Sequence, residues 1–189
     1  MSVHGQARRS FLGQSGLLLS GTAIALLSGR EALARSASAS AHDVGILNVA
    51  LGLEHEGINA YTLGAQSNLL QKPVLDIALR FQADHKEHRD ALAATIRKLG
   101  GKPVEAKSLA EYAKALNADT LKSQADVLDL AARLELGATN AYLGVIPSFK
   151  DVHLAKVAAR LAADETMHWT ILNQALGRPL ATGGLPFGA

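Results

Sequence analysis

Two short patterns each occur twice, in the same order and at nearly the same spacing. Leu53-Glu54 followed by Asn59-Ala60-Tyr61 returns as Leu134-Glu135 followed by Asn140-Ala141-Tyr142. Ala83-Asp84-His85-x-x-His88 returns as Ala163-Asp164-Glu165-x-x-His168. Glu54 precedes His85 by 31 residues and Glu135 precedes Glu165 by 30. The last copy lies in an apolar run, Leu154 to Leu176, where Leu154, Leu161, Glu165, His168, Leu172 and Leu176 share one face of a 3.6-residue period. Glu165 and His168 therefore point where a core should be. A carboxylate and an imidazole there need partners, because an unpaired buried charge costs several kcal/mol or more. The duplication limits the fold to one in which two similar helical pairs bring these residues together.

Four long helices follow from the periodicity. The first is expected from about Asp43, as N-cap, to Leu70, with Leu47, Leu51, Glu54, Ile58, Tyr61 and Ala65 inward. Four glycines, at 45, 52, 57 and 64, weaken it as a helix while allowing close packing. The second runs from Lys72-Pro73 to Leu99, with Phe81, His85, His88, Leu92 and Ile96 inward, and stops at Gly100-Gly101-Lys102-Pro103. The third spans about Leu121 to Ile146, with Leu121, Leu128, Ala131, Glu135, Ala138, Tyr142 and Val145 inward, and the fourth about Phe149 to Leu176. Residues 104–120 form a longer link, in which Ser108 and Glu111 make a capping box for a short helix to Leu116. Short links inside each pair and a long one between them predict an all-α, antiparallel four-helix bundle of two hairpins with a crossover. The Ala- and Leu-rich composition, with only 4% aromatic residues, agrees.

Residues 1–41 read as a leader. Arg8-Arg9-Ser10-Phe11-Leu12 precedes an apolar stretch, Gly16 to Ser28, and a small-x-small site, Ala32-Leu33-Ala34, with a second candidate after Ala39-Ser40-Ala41. The arginine pair resembles the twin-arginine signal of bacteria, which implies the twin-arginine export machinery as a partner and a periplasmic or extracellular destination. The apolar stretch falls short of the ~20 residues that span a bilayer, so no stable membrane span is expected in the mature form. Arg35 to His42 is Ser/Ala-rich and expected to be flexible, residues 42–177 form the bundle, and 178–189 an irregular arm. From His42 onward 15 basic and 16 acidic residues remain, so the basic isoelectric point belongs to the precursor and nothing suggests nucleic acid. The chain has no cysteine, which excludes disulfides, thiolate metal sites and cysteine nucleophiles.

The paired motifs resemble those of the ferritin-like superfamily, in particular exported bacterial members and the related desiccation-linked proteins. In that family the first and third helices each give a Glu, and the second and fourth each give Glu-x-x-His, to two metal ions in the bundle core. Carried over, the resemblance implies metal ligands Glu54, His88, Glu135, Glu165 and His168. His85 stands where the pattern has Glu, giving three Glu and three His. Iron is the first expectation, with manganese or zinc as alternatives, as a dinuclear centre or a single ion. Asp84 and Asp164 would either hold a histidine of another helix or be solvated. Tyr61 and Tyr142 would either contact a ligand or fill the core.

Three readings are compatible with this pattern, one catalytic and two not. One is a redox site that reduces peroxide or dioxygen. Another is a non-catalytic envelope protein of stress or desiccation protection, and the third a purely structural bundle held by Glu–His pairs. A homodimer is compatible with each, and no organic substrate is indicated.

Overall fold

The computed structural model describes residues 32–179 and, in the tail, 181, 183, 184 and 186–188. The export-signal motif lies outside the described residues. Five α-helices follow in order: α1 (Ala32–Gln66), α2 (Lys72–Lys98), α3 (Leu109–Ala115), α4 (Gln124–Val145) and α5 (Val152–Ala175), with 3-10 turns at Ala118–Thr120 and Ile146–Ser148. The long helices α1, α2, α4 and α5 form the bundle, and α3 belongs to the crossover. α1 packs along α2, α4 along α5, and the hairpins meet through α1 and α4. Among the described residues, no helix is long and apolar enough to cross a membrane.

The start of α1 departs from expectation. The helix begins at Ala32, so Ser36 to His42 are helical, and Asp43 is not its N-cap. Asp43 is buried within α1, and its carboxylate accepts the backbone N–H groups of Lys150 at 2.9 Å and Asp151 at 3.0 Å. It thus satisfies donors at the turn leading into α5, where an acidic side chain suits exposed N–H groups. His42, expected in a flexible lead, reaches the Ser148 carbonyl at 3.0 Å.

The other ends follow local chemistry. Pro73 sits in the first turn of α2, Ser123 caps α4, and Asp151 caps α5 by accepting from the His153 N–H. Ser108 and Glu111 form the expected capping box on α3. Gly177 takes a left-handed conformation, φ +66°, just past α5, which an L side chain adopts only with strain.

The crossover carries the chain from one end of the bundle to the other. The N–H of Gln71, before α2, meets the Gln124 side chain at the start of α4, so α2 and α4 begin at the same end. The link is fastened to the outer face of α1. Asn48 pairs with the backbone of Lys102 and Val104, His55 reaches the Val104 carbonyl at 3.1 Å, and Tyr112 is buried. Among the described residues, the tail after α5 carries no helix and returns over the second hairpin. Phe187 meets Trp169 edge-on at 5.2 Å, and the Gly188 N–H bonds to Asn140.

Two apolar layers fill the bundle. One contains Leu47, Leu51, Leu92, Ile96, Tyr142, Leu154 and Leu161. The other contains Tyr61, Ala78, Phe81, Leu128, Ala132 and Leu172. The charged residues of the repeat occupy positions between the members of these layers on the same helix faces.

Candidate metal centre

All six residues expected from the sequence converge. Glu54 and Glu135 are each 1% exposed, Glu165 is 0% exposed, and His85, His88 and His168 are buried. They form two overlapping groups whose donor atoms lie within 4.8 Å of one another: Glu54, His85, His88 and Glu165, and His85, Glu135, Glu165 and His168. In the first, His85 Nδ1 is 2.7 Å from Glu54 Oε2, and His88 Nδ1 is 3.2 Å from Glu165 Oε1 and 3.7 Å from Glu54 Oε2. In the second, His85 Nε2 is 3.2 Å from Glu135 Oε1, and His168 Nδ1 is 3.3 Å from Glu165 Oε2 and 3.5 Å from Glu135 Oε1. Each group offers two nitrogens and two oxygens. His85 and Glu165 belong to both, and each presents a different atom to each.

The outer nitrogens of the terminal histidines are held from across the bundle. His88 Nε2 lies 3.3 Å from Asp164 on α5, and His168 Nε2 lies 3.4 Å from Asp84 on α2. Each Asp serves the other helix's histidine, which fixes both rings with Nδ1 inward. Arg80 pairs with Asp84 at 2.7 Å. The tyrosines make a matching cross: Tyr61 on α1 donates to Glu135 Oε1 on α4, and Tyr142 on α4 donates to Glu54 Oε1 on α1. Both tyrosines fill the core and hold a carboxylate as well, so the two readings of them combine. Phe81 stacks on the His168 ring at 4.1 Å.

The roles of three residues are not given by the sequence reading. Gly57 lies against His85: a Cβ there would stand 3.2 Å from Cε1, 3.3 Å from Nδ1 and 3.4 Å from Nε2 of the ring. Its place three residues after Glu54, facing the second helix, was the available signal. Thr139 is 0% exposed and its hydroxyl has no partner, whereas Thr62, Thr95, Thr166 and Thr170 each bond to the carbonyl four residues back. It stands one turn after Glu135. Asp43, taken as a cap, is the third. Glu87 is exposed and outside the site, and His153 is exposed as expected.

The electrostatics are those of an anionic cage. Burial alone would push the Glu54 carboxyl up, but the rings of His85 and His88 outweigh it and bring it down to about 2. Glu135 is likewise depressed against its burial by His168 and His85. Glu165 stays above the ordinary carboxylate value, since burial and the Glu135 charge outweigh its histidines. Burial disfavours the charged form of the histidines, yet the carboxylates raise His88 to about 10 and His168 to about 9, and His85 well above its usual value. Burial, with Glu135 beside Tyr61 and Glu54 beside Tyr142, keeps both phenols protonated. The site calls for positive charge, which protons or cations can supply.

The donor set suits metal ions. His88 Nδ1, His168 Nδ1 and both oxygens of Glu165 are buried without a hydrogen-bond partner, although ring nitrogens and oxygens approach within 3.2–3.3 Å. They are close but not aligned with each other, as expected of donors aimed at a shared centre. Six separations of 3.2–3.8 Å lie near the edge of about 3.3 Å of a tetrahedron with metal–ligand bonds of about 2.0–2.1 Å, while His85 Nδ1 and Glu54 Oε2, 2.7 Å apart, stand at hydrogen-bond distance.

The comparisons agree with this architecture. The conserved hypothetical protein rv2844 from Mycobacterium tuberculosis has a similar fold, with a TM-score of 0.62 at 22% identity, covering 80% of this chain and 99% of that one. No curated protein matches the sequence. The model of the ferritin-like domain matches residues 42–178, which include both hairpins and all six site residues. This chain belongs to the ferritin-like domain family.

Proposed function

We propose that the protein is an exported metal-binding protein that holds two transition-metal ions, iron first among them, and uses them to reduce peroxide or dioxygen. The observation that carries the metal reading is the unpartnered donor atoms of His88, His168 and Glu165, two in each group, with Glu135 Oε2 a fifth. A charged cluster this deep is poor packing unless a cation repays its desolvation. Glu54 and His88 would hold one ion and Glu135 and His168 the other, with His85 and Glu165 between them. When bound, such ions supply Lewis acidity and electrons. The chain's own part is positional. Asp164 and Asp84 set the ring orientations, Tyr142 donates to the Glu54 oxygen that faces away from the histidines, Tyr61 donates to the Glu135 oxygen that also meets His85 and His168, and the apolar layers exclude water. The arginine pair and apolar leader support export.

Elemental analysis of residues 42–189, purified without chelator, tests the metal reading alongside the Glu135→Ala/Glu165→Ala double variant. Close to two ions per chain, lost in the variant, is the expected result. A metal-free protein whose stability is unchanged in the variant would leave a structural bundle in which the motif residues neither bind metal nor support the fold. Turnover of peroxide or dioxygen by the loaded protein separates catalysis from a protective role. Cleavage and secretion of a tagged full chain, abolished by Arg8→Lys/Arg9→Lys, tests export.

A further inference from the structure

His85 differs from the other two histidines in what its second nitrogen meets. His88 and His168 each turn one nitrogen into the cluster and the other to an aspartate outside it. His85 turns Nδ1 to Glu54 and Nε2 to Glu135, so both nitrogens face carboxylates of the site, one in each group. Glu165, its counterpart in the repeat, divides its two oxygens in the same way, Oε1 toward His88 and Oε2 toward His168.

We propose that His85 is a bridging imidazolate, binding one metal ion through Nδ1 and a second through Nε2. This rests on the metal-binding reading above and adds how the pair is joined. The backbone is shaped for the ring: Gly57 lies over the face of the imidazole at Nδ1, Cε1 and Nε2, and leaves no room for a Cβ at ordinary contact distance. In the other half the repeat has Ala138 at that position, and Glu165 in the place of the ring. The paired change, Glu to His on α2 and Ala to Gly on α1, marks His85 as an accommodated residue.

Charge agrees as well. Three carboxylates and one imidazolate carry four negative charges, which two divalent ions neutralise. On forming the bridge, the ring gives up its protons to solvent and forms two metal–nitrogen bonds, with no electron transferred. Ions on opposite sides of a five-membered ring, with bonds of about 2.0–2.1 Å, stand about 6 Å apart, against about 3.5–4 Å in common two-metal sites. Glu165 then reaches each ion with one oxygen. Such a bridge favours ions that take imidazole readily, iron, zinc and copper, over manganese.

The test uses zinc and copper(II) as probes on residues 42–189. The expected results are two zinc ions per chain with no zinc–zinc scattering below about 4 Å in X-ray absorption, and two copper(II) ions whose electron spins are coupled in paramagnetic resonance. His85→Gln should abolish the coupling. A single bound ion, a short metal–metal vector, two uncoupled copper signals, or coupling that survives in His85→Gln would each overturn the bridge while leaving a metal protein. If no zinc or copper is taken up, both this inference and the metal-binding reading fail. The measurements on the unaltered protein decide the matter even where His85→Gln does not fold.

Discussion

Asp84 and Asp164 stand one residue before His85 and Glu165, yet each acts on the histidine of the opposite helix. Removing either carboxylate frees a ring to rotate and lowers the basicity of its inward nitrogen. Asp84→Ala and Asp164→Ala should each weaken metal affinity by roughly 10–100-fold, measured by competition with a chromogenic chelator. The tyrosines carry a different load. Tyr142→Phe removes the donor to Glu54 Oε1, and Tyr61→Phe the donor to Glu135 Oε1. Tyr142→Phe leaves Glu54 Oε1 unsatisfied and should cost about 1–3 kcal/mol in urea unfolding of the metal-free protein; Tyr61→Phe should cost less, because Glu135 Oε1 keeps its contact with His85 Nε2. Unchanged unfolding midpoints would mean that these tyrosines only fill space. At this scale the six cluster residues were legible because a duplicated motif on a helical stripe fixes both identity and direction. The pairing of Asp84 with His168, or of Tyr61 with Glu135, was not, because it depends on which helices become neighbours. Thr139 and Gly57 were hidden for a related reason: neither is chemically conspicuous until the facing helix is in place.

Among the elements, α1 shows where local reasoning stops. Asp43 before an apolar-periodic run has the composition of an N-cap, and an isolated segment supports that reading. The structure instead continues the helix back to Ala32 and uses Asp43 as a tertiary cap on the turn before α5. Asp43→Ala should leave the Lys150 and Asp151 N–H groups without their acceptor and fray the start of α5, at a cost of about 1–3 kcal/mol. Hydrogen exchange should localise the loss to residues 149–154 and the adjacent turn of α1. A uniform loss of protection would contradict the capping role. The capping box at Ser108 and Glu111 was legible because all its bonds are local. The fastening of the crossover by Asn48 and His55 was not, since both partners are distant in sequence.

The whole molecule places four helices antiparallel around a charged layer, and its stability should record that layer's protonation. His88 and His168 have folded values of about 10 and about 9, against an ordinary ~6.5. Their contribution is complete below ~6.5 and is lost as pH rises through 9 to 10. Glu54 is held down to about 2 and Glu135 is also depressed, so their contribution is complete above ~4.5 and is lost as pH falls toward 2. Glu165, being raised, opposes them slightly by favouring the protonated form. The metal-free protein should therefore be most stable between about pH 5 and 6.5, with its thermal midpoint declining on either side. Metal ions reverse the alkaline limb. They require neutral imidazole donors, so binding displaces protons and strengthens as pH rises. The gap in thermal midpoint between zinc-loaded and metal-free protein should widen from about pH 5.5 to about pH 8.5, read by calorimetry in matched buffers. A gap that is constant with pH would show that zinc binds away from these histidines. A metal-free midpoint that is flat across the range would show that the buried charges are solvated by water that penetrates between the helices. The sign of both trends follows from one arrangement, three carboxylates buried with three imidazoles, where a proton and a metal ion compete for the same nitrogens.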